Sequence, residues 1–276
     1  MMRAAVTISL VPQAKGGPFV FWGSLEESCA AAAGLGFDAV EIFAESAGAL
    51  DAGELGRVLD RHGLSLAAMG TGGGWVVHRL RLTDPDAGVR ERAIGFVEGM
   101  IELAGGFGAP AIIGSMQGRF EGIARAEALS WLGEALERLG ARAGGLGQTL
   151  LFEPLNRYET NLVNSVEGGC ELLATLKVKN VRLLCDLFHM NIEEESIPGA
   201  LRAAGPRVGH VHFVDSNRRA AGGGHLDYAP ILEALGEIGY EGYLSAEVLP
   251  WPDSEQAARQ SMAAFRKFVS APGGTR

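Results

Sequence analysis

Short apolar runs alternate with amphipathic stretches along the whole chain, and the alternation is regular enough to count. Strand-like runs lie at "AAVTISL" (4–10), "AVEIFA" (39–44), "LSLAAMG" (64–70), "PAIIGSM" (110–116), "TLLFEP" (149–154), "VRLLCDL" (181–187), "VGHVHFV" (208–214) and "YLSAEVL" (243–249). Each has the length and aliphatic character of a strand covered on both faces. Between them apolar residues recur at helical spacing, as in "SLEESCAAAAGLG", "VRERAIGFVEGMIELAGG" and "SEQAARQSMAAFRKFV", the mark of a helix with one buried side. Gly63, Gly105 and Gly239 fall just past such stretches, where a residue of positive φ ends a helix. "TDPDAG" at 83–88 predicts an N-cap at Asp84 with Pro85 at N1. Only "IPGALRAAG", after the sixth strand, carries little helix signal.

Strict alternation of β and α elements implies a parallel sheet. Eight repeats in 276 residues fit a closed (β/α)8 TIM barrel, for which about 250 residues is typical, so the chain reads as a single barrel domain over residues 1–276. A doubly wound open sheet is the alternative. It is disfavoured because no strand–GxGxxG–helix unit occurs where a dinucleotide would need one.

Composition narrows the field. Apolar residues make up 47% of the chain and charged ones 21%, as in an α/β protein with a substantial core. A net charge of −9 argues against a nucleic-acid partner, which calls for a basic face. Cys29, Cys170 and Cys185 are odd in number and widely spaced, so they read as small buried hydrophobes in a reducing compartment rather than as disulfides or a zinc site. The opening "MMRAAVTISLVP" is too short an apolar run for a signal peptide, and no run is long enough to span a membrane. A cytoplasmic location is expected.

"LFEPLNRYETN" (151–161) breaks the apolar pattern. Glu153 stands where the core of the fifth strand should continue, and a buried carboxylate without a partner costs several kcal/mol. The next three strands end in the same way, with Asp186, His212 and Glu247, at intervals of 33, 26 and 35 residues, one βα unit each. Counting back by twos from each of the four gives Leu151, Leu184, His210 and Ser245, so all four side chains face the barrel interior. Active groups of such barrels lie at the C-terminal ends of the strands. Three carboxylates crowded together resist ionisation unless a cation joins them. Glu153, Asp186, His212 and Glu247 are therefore the candidate metal ligands, and a set with no thiolate suits Mn²⁺ or Mg²⁺ better than structural zinc.

Together "EPLNRYETN", "CDLFHMNIEE", "HVHFVDSNR" and "SAEV" resemble the ketose 3-epimerases, the D-tagatose/D-psicose 3-epimerase group within the xylose-isomerase-like barrels. The likeness is clearest from 149 to 250. It implies one divalent ion, Mn²⁺ in first place with Mg²⁺ or Co²⁺ as alternatives, on the same four residues. It also implies substrate contacts from Glu159, His189 and Arg218, and a homo-oligomer, dimer or tetramer. Glu153 and Glu247 then become the acid–base pair: one takes the C3 proton of a ketose and the other returns it to the opposite face through a cis-enediolate. His189 and Arg218 would hold substrate oxygens, and Glu159 would orient one of them.

Rival readings use the same barrel. An aldose–ketose or hydroxypyruvate-type isomerase, or a sugar-phosphate epimerase, would share the metal cup. A repair endonuclease would need several zinc ions and basic grooves, and a non-catalytic sugar-binding barrel would be expected to lack one of the two glutamates. The glycine-rich "RRAAGGGHLDY" loop with Arg219 is a candidate phosphate cradle, set against an ordinary mobile loop. Trp75, near His78 and Arg79, either covers a sugar face or packs on the protein. His62 and His225 read as surface and loop residues, and His210 as filling of the barrel interior rather than a ligand.

Overall fold

The computed structural model describes residues 1–269. Eight parallel strands close into a barrel in sequence order, with β1 hydrogen-bonded to β8: β1 (Arg3–Ser9), β2 (Ala39–Phe43), β3 (Ser65–Gly70), β4 (Ala111–Ile113), β5 (Leu150–Phe152), β6 (Val181–Asp186), β7 (Val208–His212) and β8 (Tyr243–Ala246). The helices are α1 (Leu25–Leu35), α2 (Ala52–His62), α3 (Gly73–Val76), α4 (Ala87–Gly105), α5 (Arg125–Gly145), α6 (Val166–Thr175), α7 (Leu187–Glu193), α8 (Ile197–Ala204), α9 (Tyr228–Glu237) and α10 (Ser254–Val269). None of them is long and apolar enough to cross a membrane.

Local sequence explains most boundaries. Ser24 caps α1 through a reciprocal pair with Glu27, and Gly36 ends that helix at φ +89°, satisfying end groups at both termini. Gly63 and Gly239 take positive φ as expected, but Gly105 remains inside α4 and Gly108 makes the turn instead. The cap of α4 is Asp86, which accepts from Gly88 and Val89. Asp84 is occupied otherwise, accepting from the Asp86 amide and from Arg81. Residues 197–204 do form a helix, α8, because Ser196 caps it, Pro198 sits in its first turn, and Ile197, Leu201 and Ala204 are buried. A single turn of cap chemistry and three buried contacts outweigh a weak helical pattern. Cys29 and Cys185 are buried, Cys170 is partly so, and all three are free thiols.

The interior of the barrel is layered. Ala5, Ala39 and Ala67 pack with Tyr243 at one end, and Ala68, Ile112, Leu151 and Leu184 form the next group. Above them the inward positions turn polar. Two irregularities set which groups meet there. Between β6 and β7 the register shifts at Gly209, so that Leu184 faces His210 and Asp186 faces His212. A Cβ on Gly209 would lie 2.7 Å from Cβ of Arg182 and 2.8 Å from a Leu151 methyl, which makes glycine necessary at that bulge. A second shift at Ala67 pairs Glu41 with Ala68.

Candidate metal and active site

His212, the last residue of β7, is the centre of the polar layer. Its Nδ1 lies 3.1 Å from Asp186 Oδ2, 3.5 Å from Glu247 Oε2 and 3.7 Å from Glu153 Oε1. Glu153 follows β5 directly, and its amide continues the ladder by donating to Ile113. Asp186 closes β6 and caps α7 at once: Oδ1 accepts from the amides of Phe188 and His189, which turns Oδ2 toward His212. Glu247 stands just beyond β8. Glu153, Asp186 and His212 each offer a donor atom within 4.8 Å of the other two, while Glu247 approaches from the side and also lies 3.5 Å from an Arg218 nitrogen. All four residues singled out as metal ligands thus converge on one point.

The three substrate candidates surround that point. His189 on α7 is buried, and its Nδ1 accepts from the backbone and side-chain amides of Asn156 at 3.3 and 2.7 Å. With Nδ1 accepting, the ring proton sits on Nε2. That atom is buried without a hydrogen-bond partner among the described residues, 3.8 Å from Glu153 Oε1. Burial also lowers the His189 pKa, so the ring is a neutral donor. Arg218 holds φ +59°, a conformation that costs a non-glycine residue about 1–2 kcal/mol. Its guanidinium reaches Glu159 Oε1 at 2.8 Å and lies over the Phe188 ring. Glu159 is exposed at the rim and also accepts from Asn156.

The electrostatics are those of a crowded acidic cup. Burial, together with the charges of Glu247 and Asp186, pushes Glu153 well above the usual carboxylate range. Burial pushes Glu247 up to about 7, with Asp186 and Glu41 adding to the rise. Asp186 goes the other way: burial opposes ionisation, but the hydrogen bond and charge of His212, together with the charge of Arg218, hold the carboxyl low. His212 is raised, against its burial, by Glu41, Glu247 and Asp186. A group of acids that repel one another around a single imidazole nitrogen is what a divalent cation would neutralise.

These groups open into a cavity of about 290 Å³ at the C-terminal mouth of the barrel, whose lining also includes the apolar side chains of Phe19, Phe43 and Val76. Gly114 forms part of the wall, and a Cβ there would sit 2.4 Å from Glu153 Oε2. Gly114→Ala must therefore drive that carboxylate back by about 1 Å, and a loss of about 100-fold in turnover is expected. Steady-state kinetics would check it, and wild-type turnover would show that Glu153 has room to spare.

Other expectations resolve differently. The "RRAAGGGHLDY" loop is no free phosphate cradle: the buried Asp215 carboxylate takes the amides of Ser216, Gly222 and Leu226 at 2.7, 2.8 and 3.1 Å, and Arg219 stacks on Trp251 at 3.7 Å. Nor is it a loose loop, since those bonds fix the turn from which Arg218 projects. Asp215→Ala would strand several amides and is expected to destabilise the protein by about 3 kcal/mol. That corresponds to a drop of about 6–12 °C in Tm; a loss of a degree or two would mean that the loop holds itself. Trp75 packs against the core beneath Arg79 and Arg81, leaving Val76 to line the cavity. His62 ends α2 beside Glu26, and His225 is exposed.

Two residues of the site went unmarked in the sequence. Asn156, inside "EPLNRYETN", fixes His189. Glu41 on β2 is buried, with Oε1 3.1 Å from His212 Nε2 and Oε2 2.9 Å from His210 Nε2. The signal was there: Glu41 is a charge on the inward face of an apolar strand, as Glu153 is.

The family model described as the xylose isomerase-like TIM barrel matches residues 29–268. A D-psicose 3-epimerase of Ruminiclostridium cellulolyticum is 39% identical over 114 residues, covering 41% of this chain and 39% of that protein. A 3-dehydro-D-guloside 4-epimerase of Escherichia coli is 35% identical over 132 residues, covering 48% of this chain and 49% of that protein. In these matches the chain spans about two fifths to a half of the length of the relatives. The solved structure of an L-ribulose 3-epimerase is similar with a TM-score of 0.83 at 25% identity, covering 98% of this chain and 95% of that one.

Proposed function

The chain belongs to the xylose isomerase-like TIM barrel family, and from that premise we propose that it is a divalent-metal-dependent epimerase that inverts C3 of a ketose. The observation that carries this reading is the convergence of Glu153, Asp186 and Glu247 on the one nitrogen of His212, beside the Nε2 of His189, which has no partner among the described residues. The donor set fits a hard or borderline cation, with Mn²⁺ ahead of Mg²⁺ and Co²⁺, and Glu153, Asp186, His212 and Glu247 would hold it. When bound, the ion would act as a Lewis acid toward the sugar carbonyl and its neighbouring hydroxyl, making the C3 hydrogen acidic.

The chain's own residues supply the rest. Glu153 and Glu247 come from strands on different sides of the mouth, so their carboxylates can address opposite faces of a sugar carbon lying between them. One takes the C3 proton and the other returns a proton to the other face; the reverse reaction exchanges the roles. Burial raises both carboxyls above their ordinary range, which suits groups that must serve as acid in one direction and base in the other. His189 donates Nε2–H to a substrate oxygen, and the Arg218 charge opposes the negative charge that builds on the planar enediolate. Glu159 holds the guanidinium, while Phe19, Phe43 and Val76 keep one wall of the cavity apolar.

A second reading, inversion at C4 of a 3-keto sugar, is supported by the match to the 4-epimerase relative and uses the same residues, because that carbon also adjoins a carbonyl. Incubation of ketoses, keto sugars and their phosphates in D2O, with and without chelator, tests both. Deuterium at an inverted C3 is expected; deuterium at C4 selects the second reading, and an aldose product labelled at C1 or C2 makes the enzyme an isomerase.

A further inference from the structure

We infer that Glu41 is a positioning residue that holds His212 with its Nδ1 turned toward the cation, an inference that rests on the metal site proposed above. Glu41 lies in mid-strand on β2 and lines the floor of the same cavity, yet both its oxygens are taken up by histidines rather than left open. It is 5% exposed, and such a carboxylate is tolerable only if donors meet both oxygens. His212 Nε2 and His210 Nε2 do so at 3.1 and 2.9 Å. These are hydrogen-bond lengths, which account for the Glu41–His210–His212 cluster without an ion of its own.

An ionised carboxylate only accepts hydrogen bonds, so both imidazoles must present Nε2–H to it. For His212 this leaves Nδ1 as the nitrogen a cation would take, in exchange for the proton it shares with Asp186 Oδ2 in the metal-free protein, and Nδ1 is the atom that faces Asp186, Glu247 and Glu153. Rotation of the ring is blocked at the same time, since the imidazole is pinned at one edge by Glu41 from β2 and at the other by Asp186 from β6. His210 has a matching part: by taking the second oxygen of Glu41 it fixes the plane of the carboxylate. A carboxylate behind a metal-binding histidine sets the tautomer and basicity of the ring, and its loss lowers metal affinity by about 10- to 100-fold.

The test uses the full chain and Mn²⁺ alone, followed by the electron paramagnetic resonance of free Mn²⁺ during titration, with Tm recorded on each metal-free protein. Glu41→Leu removes both acceptor oxygens at similar volume. It is expected to bind one Mn²⁺ per chain about 10- to 100-fold more weakly than wild type. Glu41→Gln keeps one acceptor for one histidine and should fall between the two, and it carries the test alone if Glu41→Leu fails to fold. A lower Tm with unchanged Mn²⁺ affinity in a folded variant would make Glu41 structural only, and a second Mn²⁺ per wild-type chain would make it a ligand; either result overturns the inference. If wild type binds no Mn²⁺ at all, the proposed metal site fails, which is a different outcome from wild-type binding that the substitutions leave untouched.

Discussion

Glu247→Gln is expected to lower turnover on a ketose by about 1,000-fold, or ~4 kcal/mol in the barrier, while leaving a cation in place. The split follows from the geometry. Glu153, Asp186 and His212 form the mutually close group, and Glu247 meets His212 Nδ1 at 3.5 Å from the side nearest Arg218. An amide can still offer an oxygen to the ion, but it cannot take up or release the reacting proton. The diagnostic is exchange without inversion. With one carboxylate silenced, the other can still remove and replace the proton on its own face. One epimer should then exchange its C3 hydrogen for deuterium while neither inverts. Glu153→Gln should show the opposite choice of epimer. If both variants exchange the same epimer, or both invert at wild-type rates, the assignment of two faces to two glutamates is wrong.

Removal of the metal should have an effect as large on activity and a measurable one on stability. Exhaustive chelation is expected to reduce epimerisation to background, with recovery on adding Mn²⁺. Without the ion, burial and mutual crowding hold Glu153 well above the usual carboxylate range and Glu247 at about 7. Binding must displace those protons, so affinity should rise as pH increases through about 7 and fall as the carboxyls protonate below it. At about 100 times its Kd the ion would stabilise the fold by ~2.7 kcal/mol, seen as a rise of about 5–10 °C in Tm. Full activity in protein shown by elemental analysis to be metal-free would remove the central element of the proposed reaction.

The eight strands and the four candidate ligands at the strand ends were legible because both rest on local periodicity. Alternation along a strand says which side of the sheet Glu153 or Glu247 faces, and the length of a βα unit says that Asp186 and His212 come from its neighbours. Glu41 obeyed the same rule but stood alone on β2, with nothing nearby in the chain to explain it. Its partners are 169 and 171 residues away. The helix at 197–204 was missed because its apolar residues signal only once the barrel wall gives them something to cover. The "RRAAGGGHLDY" loop looked open because a string of glycines does not reveal that Asp215 has already taken the amides.

By itself, then, the sequence determined the closed run of β/α units and the chemical type of the groups gathered at one end of it, since these follow from residue period and strand direction. Tertiary structure alone decided how those groups face one another. Closing β8 onto β1 and shifting the β6–β7 register at Gly209 set Asp186 beside His212 and brought Glu41 to the far edge of the same ring. Those are relations through space, fixed by the curvature and stagger of the whole sheet, and no window along the chain contains them.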